Sequence, residues 1–227
     1  MNSNINVAID GPAGAGKSTV AKLLAAKLSF VYIDTGAMYR ALTWKAKEDN
    51  VDYHDEVSLT KLLEKMDLEL KYEQGGVKII LGGKDITEAV RSPEVTNNVS
   101  YVARHARIRD YMVMKQQELA AKGKTVMDGR DIGTAVLPEA AVKFFLTASV
   151  QERAERRYLE QTEKGIESDI ELLKEEISKR DRLDTERKTA PLKKADDALE
   201  IDTTNMSIDE VVERLLTITQ EQMEAYE

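Results

Sequence analysis

Apolar residues in this chain gather in short runs that stop at aspartate or threonine, with stretches of helical spacing between them. Ile5-Asn6-Val7-Ala8-Ile9 stops at Asp10, Phe30-Val31-Tyr32-Ile33 at Asp34, and Lys124-Thr125-Val126-Met127 at Asp128. Val142-Lys143-Phe144-Phe145-Leu146 stops at Thr147, and Leu199-Glu200-Ile201 at Asp202. Runs of this length bounded by turn residues predict five buried strands. Between them, Val20, Leu23, Leu24 and Leu28 predict a helix over 18–28, and a second is expected from Asp34 to about Glu48. Ser207 and Glu210 form a capping box ahead of Ile208, Val211, Val212, Leu215 and Leu216, which share one helical face. Strands alternating with helices predict an α/β fold: three layers, α/β/α, around a five-stranded parallel sheet. Such sheets collect ligands at the C-terminal strand ends, where this sequence sets its aspartates.

Two segments break the rhythm. From about 67 to 87, Leu68, Leu70 and Tyr72 alternate, then Val77 to Leu81 follows, with Gly75-Gly76 and Gly82-Gly83 as turn signals. This predicts a small antiparallel β insert. From Gln151 to Lys194 the chain carries 12 basic and 12 acidic residues, with helical apolar spacing surviving at Ile170, Leu173 and Ile177. A charged helical pair that closes as a lid fits that pattern. The expected organisation is a core of 1–61, 102–147 and 198–227, an inserted domain of 62–101, and a lid with its following helix and loop at 148–197. The last seven residues, EQMEAYE, are expected to fray.

Charge and composition narrow the function. With 33 basic against 41 acidic residues the chain is acidic overall, at −8, and lacks the basic footprint of a general nucleic-acid or membrane binder. The absence of cysteine excludes disulfides, thiolate zinc sites and thiol catalysis. Val7-Ala8-Ile9 stops too early for a signal peptide, and no apolar run approaches a membrane span, so a soluble cytoplasmic protein is expected.

Gly11-Pro12-Ala13-Gly14-Ala15-Gly16-Lys17-Ser18, followed by Thr19, matches the phosphate-cradling loop G-x-x-x-x-G-K-[ST] in its required place between strand and helix. Glycines let backbone N–H groups wrap a phosphate, Lys17 can reach the β- and γ-phosphates, and Ser18 can ligate Mg²⁺. The loop implies a nucleoside triphosphate and leaves the reaction open. No Asn-Lys guanine reader exists, and no glutamate follows Asp128 to orient water, which argues against a GTPase switch or a motor ATPase. Arginine abounds instead: Arg40, Arg109, Arg130, the trio Arg153, Arg156 and Arg157, then Arg180, Arg182 and Arg187. Guanidinium forks suit phosphate, and these exceed what one triphosphate needs, so a second phosphorylated ligand is expected. The 153–157 trio, interleaved with Glu152, Glu155 and Glu160, fits a salt-bridged helix face equally well.

DGPAGAGKST, DTGAMYRA at 34–41, DGRDIGT at 128–134 and KRDRLDTERKTAPLKKADDAL at 179–199 together resemble the bacterial cytidylate kinases, in order and over nearly the whole chain. The resemblance implies transfer of the γ-phosphoryl of ATP to CMP or dCMP, with Mg²⁺. It implies that Lys17 and the 11–18 loop hold ATP, that Arg40, Arg130 and Arg187 hold the acceptor phosphate, and that Ser100, Arg109 and Asp131 read cytosine. Arg180 and Asp184 would meet the sugar and neighbouring groups, Thr35 would supply a hydroxyl, and Arg153, Arg156 and Arg157 would belong to the lid over the reacting phosphates, the resemblance leaving open which of them reaches. A phosphate monoester is already a nucleophile at neutral pH, so no general base is needed, and His54 and His105 are expected to be surface or packing residues. A kinase for shikimate or another nucleotide on the same core, and a regulatory ATPase, are the competing readings. A monomer is expected, because the enzyme must open and close.

Overall fold

The computed structural model of the chain describes residues 5–73 and 76–225. β1 (Asn6–Asp10) and α1 (Lys17–Leu28) come first, then β2 (Val31–Asp34), α2 (Thr35–Glu48) and α3 (Glu56–Glu64). The insert follows as β3 (Leu68–Glu73), β4 (Gly76–Leu81) and β5 (Lys84–Asp85), with α4 (Pro93–Ala103) and α5 (Ala106–Ala120) after it. β6 (Thr125–Gly129), a π turn at Ile132–Val136, β7 (Val142–Thr147), α6 (Val150–Glu163), α7 (Ile170–Glu186), β8 (Leu199–Asp202) and α8 (Ile208–Ala225) complete it.

The five expected strands form one sheet in the order β2-β6-β1-β7-β8, and every pairing is parallel. Side chains of a strand alternate between faces, so β1 feeds two cores. Val7 and Ile9 pack with Val20 and Leu24 of α1, Phe144, and Val211 and Leu215 of α8. Ala8 packs on the other face with Ile33, Met127, Ala120 and Ile132. All five residues of β1 and of β6 are buried, as expected of central strands covered by helices on both sides.

The insert is a three-stranded antiparallel sheet, β3-β4-β5, with the Gly82-Gly83 turn at positive φ between β4 and β5. The expected turn at Gly75 lies outside the described residues, and Gly76 opens β4. The sheet does not stand alone: Ile79, Leu81, Ile86 and Val90 bury against Ala37 and Ala41 of α2. The expected bounds at 61/62 and 101/102 fall inside α3 and α4. These helices start at local caps, where Asp55 accepts from Val57 N and Ser58 N, and Ser92 precedes Pro93. Of the EQMEAYE segment expected to fray, residues 221–225 continue α8 and the last two lie outside the described residues; the capping box of α8 forms, Glu210 accepting from Ser207 N at 2.8 Å. No helix among the described residues is long and apolar enough to cross a membrane.

Candidate active site

The loop between β1 and α1 forms the first wall. Gly11, Gly14 and Gly16 take φ of 145, 77 and 82°, and a Cβ on Gly11 would collide with the Leu146 carbonyl of β7. Only glycine lets the loop lie so close to the neighbouring strand. Gly16 caps α1 without a side-chain acceptor, which leaves first-turn amides and the positive helix end available to an anion. Lys17 is buried, and its ammonium donates back to Pro12 O at 2.6 Å. Burial, then the Arg130 guanidinium, pull Lys17 well below the usual lysine range, against the attraction of Asp128. Pro12, Ala13 and Ala15 line the loop, and Ser18 and Thr19 stand exposed on the first turn of α1.

Asp128, at the end of β6, ties that wall to the next strand. It accepts from Ser18 Oγ at 2.7 Å and from Tyr32 OH at 2.8 Å, and its carbonyl accepts from Thr35 Oγ1 at 2.6 Å. Burial, then the neighbouring Asp34, push its carboxyl above the ordinary carboxylate range. Asp34 caps α2 through Ala37 N at 2.8 Å and pairs with Arg40 at 2.9 Å, while Arg40 Nε is buried without a partner.

Two buried carboxylates organise the opposite wall. Asp184 of α7 accepts from Ser100 Oγ of α4 at 2.8 Å and from Arg130 Nε at 2.9 Å. Burial opposes its charge, yet Arg130, Arg180 and Arg187 hold its carboxyl below the ordinary range. Asp131 pairs with Arg109 of α5 and, at 3.3 Å, with Arg187 at the end of α7. Arg109 also lies over the Tyr39 ring at 5.5 Å and donates to Ala103 O at 3.2 Å. Arg180 of α7 stands in the middle of this crowd. Burial, then Arg130, with Arg40 and Arg157 beyond it, pull its guanidinium down to about 9, and its Nε has no partner.

The arginine trio of α6 divides. Arg153 engages all three guanidinium nitrogens: Nε to Ala148 O at 2.9 Å, one terminal nitrogen to Ala13 O of the glycine loop at 2.9 Å, the other to Asp181 of α7 at 2.7 Å. Arg156 pairs with Glu152 at 2.9 Å, one helical turn away, and with Thr203 O at 2.7 Å. Arg157 is held loosely, by Asn97 Oδ1 at 3.4 Å and Glu176 at 4.0 Å. Both histidines stand away from these groups, His54 beside Arg104 and His105 bonded to Tyr53 O.

The sequence profile of the cytidylate kinase family matches residues 7–221 of the chain. The chain belongs to the cytidylate kinase family. A cytidylate kinase from Anoxybacillus flavithermus is 58% identical over 224 residues, covering 99% of this chain and 100% of that protein. One from Bacillus cereus is 57% identical over 218 residues, covering 96% and 97%. Among solved structures, the shikimate kinase from Acinetobacter baumannii in complex with shikimate superposes with a TM-score of 0.47 at 15% identity, covering 96% of this chain and 95% of that one, a likeness too weak to bear on substrate. As a cytidylate kinase the chain is a phosphotransferase acting on a nucleoside monophosphate.

Several residues of this cytidylate kinase site had no role assigned from the sequence. Asp34 and Asp128 stand at strand ends inside the DTGAMYRA and DGRDIGT motifs, and Tyr32 lies in the apolar run before Asp34. Asp181 is hidden among the charges of α7, and only the fold shows that it meets Arg153.

Proposed function

We propose that the protein transfers the γ-phosphoryl group of ATP to CMP or dCMP, giving ADP and CDP or dCDP, by direct in-line attack without a general base. An oxygen of the acceptor monophosphate forms the new bond to Pγ as the bond from Pγ to the β–γ bridging oxygen breaks, and ADP carries the charge away. The observation that carries this reading is the facing pair of walls: a phosphate loop with Lys17 on one side, and Arg130, Arg180 and Arg187 grouped around Asp184 on the other. Two anions must be brought together there, and fixed cations do that by positioning and electrostatics.

In this reading residues 11–19 hold the ATP phosphates, and Lys17 swings from Pro12 O to them. Arg40, Arg130 and Arg187 hold the acceptor phosphate, with Arg180 and Asp184 near the sugar and Thr35 close by. Ser100, Arg109 and Asp131 read cytosine, whose exocyclic amine donates where uracil accepts. Each Asp131 oxygen keeps a free lone pair beyond its arginine, so it can still accept from that amine. Arg157, the loosest of the lid arginines, reaches the transferred group, and Arg153 ties the lid to the loop. Ser18 Oγ beside the Asp128 carboxylate offers hard oxygen donors that fit Mg²⁺, with ATP and water completing its shell. The ion would neutralise charge building on the β- and γ-oxygens. A monomer, free to open and close around its two substrates, fits this reading.

A coupled assay of ADP release across CMP, dCMP, UMP, AMP and shikimate tests this. CMP and dCMP should give the highest kcat/KM. Preference for AMP or shikimate would sink the reading.

A further inference from the structure

Asp10 is the strand-end acid that the roles above leave unused, and it is buried at the root of the donor loop. Its Oδ1 accepts from Ile132 N at 2.8 Å and its Oδ2 from Gly133 N at 2.7 Å. These amides open the π turn directly behind Arg130 and Asp131. The turn closes on itself there, because Ala135 N and Val136 N both donate to Asp131 O, at 2.9 and 3.2 Å. It is gripped from its far side too. A Cβ on Gly133 would stand 3.1 Å from Lys143 Cδ, 3.4 Å from Asp10 Oδ2 and 3.5 Å from Ala195 Cβ. Lys143 cannot yield easily, since its ammonium is tied to Pro138 O and, at 2.7 Å, to Asp197. Asp10 is followed at once by Gly11, so one carboxylate joins the start of the donor loop to the backbone that carries the acceptor-reading pair.

We propose that Asp10 is a positioning residue that fixes Arg130 and Asp131 against the donor loop, and so sets base selectivity and the alignment of the two phosphates. This rests on the cytidylate kinase reading above. Two amide donors converge on Asp10, and a carboxylate meets both with acceptors. Asparagine would turn an N–H₂ donor on one of them, and the turn would recoil from that contact. Asp131 would then follow its two arginines instead of the sheet. A misplacement of about 1 Å at a reacting centre can cost about 10²-fold in rate.

The test compares wild type with Asp10→Asn and Gly133→Ala at about pH 8, where the carboxylate is ionised. It reads kcat/KM for CMP and UMP, affinity for a non-hydrolysable ATP analogue by calorimetric titration, and hydrogen exchange over residues 129–137. In Asp10→Asn, kcat/KM for CMP should fall about 10²-fold and the CMP/UMP ratio about tenfold, with faster exchange at 132 and 133 and little change in analogue affinity. Gly133→Ala keeps the carboxylate and wedges a methyl between the turn, Lys143 and Asp10; it should lose selectivity in the same direction by less, and it carries the test if Asp10→Asn does not fold. An unchanged CMP/UMP ratio despite faster exchange, or a loss of analogue affinity in parallel with rate, overturns the proposal. A wild type with no preference for CMP overturns the underlying reading, and this inference with it.

Discussion

Asp10 and Asp184 are both buried, yet their surroundings push them in opposite directions. Asp10 has two amides and Lys17 to support its charge, but burial, with Asp131 adding to it, wins and raises its carboxyl to about 6 from an ordinary 3.8. Asp184 pays the same desolvation but faces Arg130, Arg180 and Arg187, and its carboxyl stays below 3.8. The consequences for stability have opposite signs. Between about pH 4 and 6 the folded state holds a proton on Asp10 that the unfolded chain has lost, so this contribution falls as pH rises through that window, by about 2–3 kcal/mol in all. The contribution of Asp184 is complete above 3.8 and is lost as pH falls through its lowered folded value. Denaturant titrations from about pH 3 to 8 should therefore show Asp10→Asn flattening the slope between about 4 and 6, and Asp184→Asn flattening only the acid limb. Identical slopes in wild type and Asp10→Asn would refute the burial argument.

At the scale of elements, the core was legible because strand and helix periodicities are local. β1, β2, β7 and β8 stop at the very residues where their apolar runs stop, and β6 runs one residue beyond, to Gly129. The charged α6–α7 segment was legible as helix through Ile170, Leu173 and Ile177, and Leu173 and Ile177 do bury with Ala154. What stayed hidden is how its arginines partition, since Arg153, Arg156 and Arg157 look alike in sequence and differ only in what α7, the glycine loop and Thr203 place beside them. The π turn behind Asp131 was equally invisible, for its i→i+5 bonds leave no periodic trace. The partition makes a prediction. Arg153→Ala strips Asp181 of its cation and the Ala13 carbonyl of its donor, so it should cost about 2–4 kcal/mol of stability by urea unfolding. Arg157→Ala should leave stability within about 1 kcal/mol and lower kcat instead, because its contacts are long and partly exposed. A stable Arg153→Ala, or an Arg157→Ala that unfolds early, would reverse the two assignments.

The whole molecule sets a cationic cluster inside an acidic chain. The parallel sheet fans Lys17 and Arg130 out from adjacent strand ends, α2 adds Arg40, and the α6–α7 pair brings Arg157 and Arg180 over them. Lys17 and Arg180 are both pulled down by burial and by these like charges, so the folded state carries their repulsion wherever no substrate anion stands among them. Natural proteins tolerate such strain at sites whose work demands it, and relieving it gains stability at the expense of activity. Arg180 is the place to see this, because its Nε has no partner to lose. Arg180→Met keeps the aliphatic stem and removes the charge. In the free protein it should raise the thermal midpoint by about 2–4 °C for each kcal/mol of repulsion relieved. The same variant should gain less than wild type from added CMP, which at about 100 times Kd would stabilise an unmodified site by about 2.7 kcal/mol. A lower midpoint in the free variant would mean that the attraction between Arg180 and Asp184 outweighs the crowding, and that the cluster is held together by its carboxylates without needing the substrate.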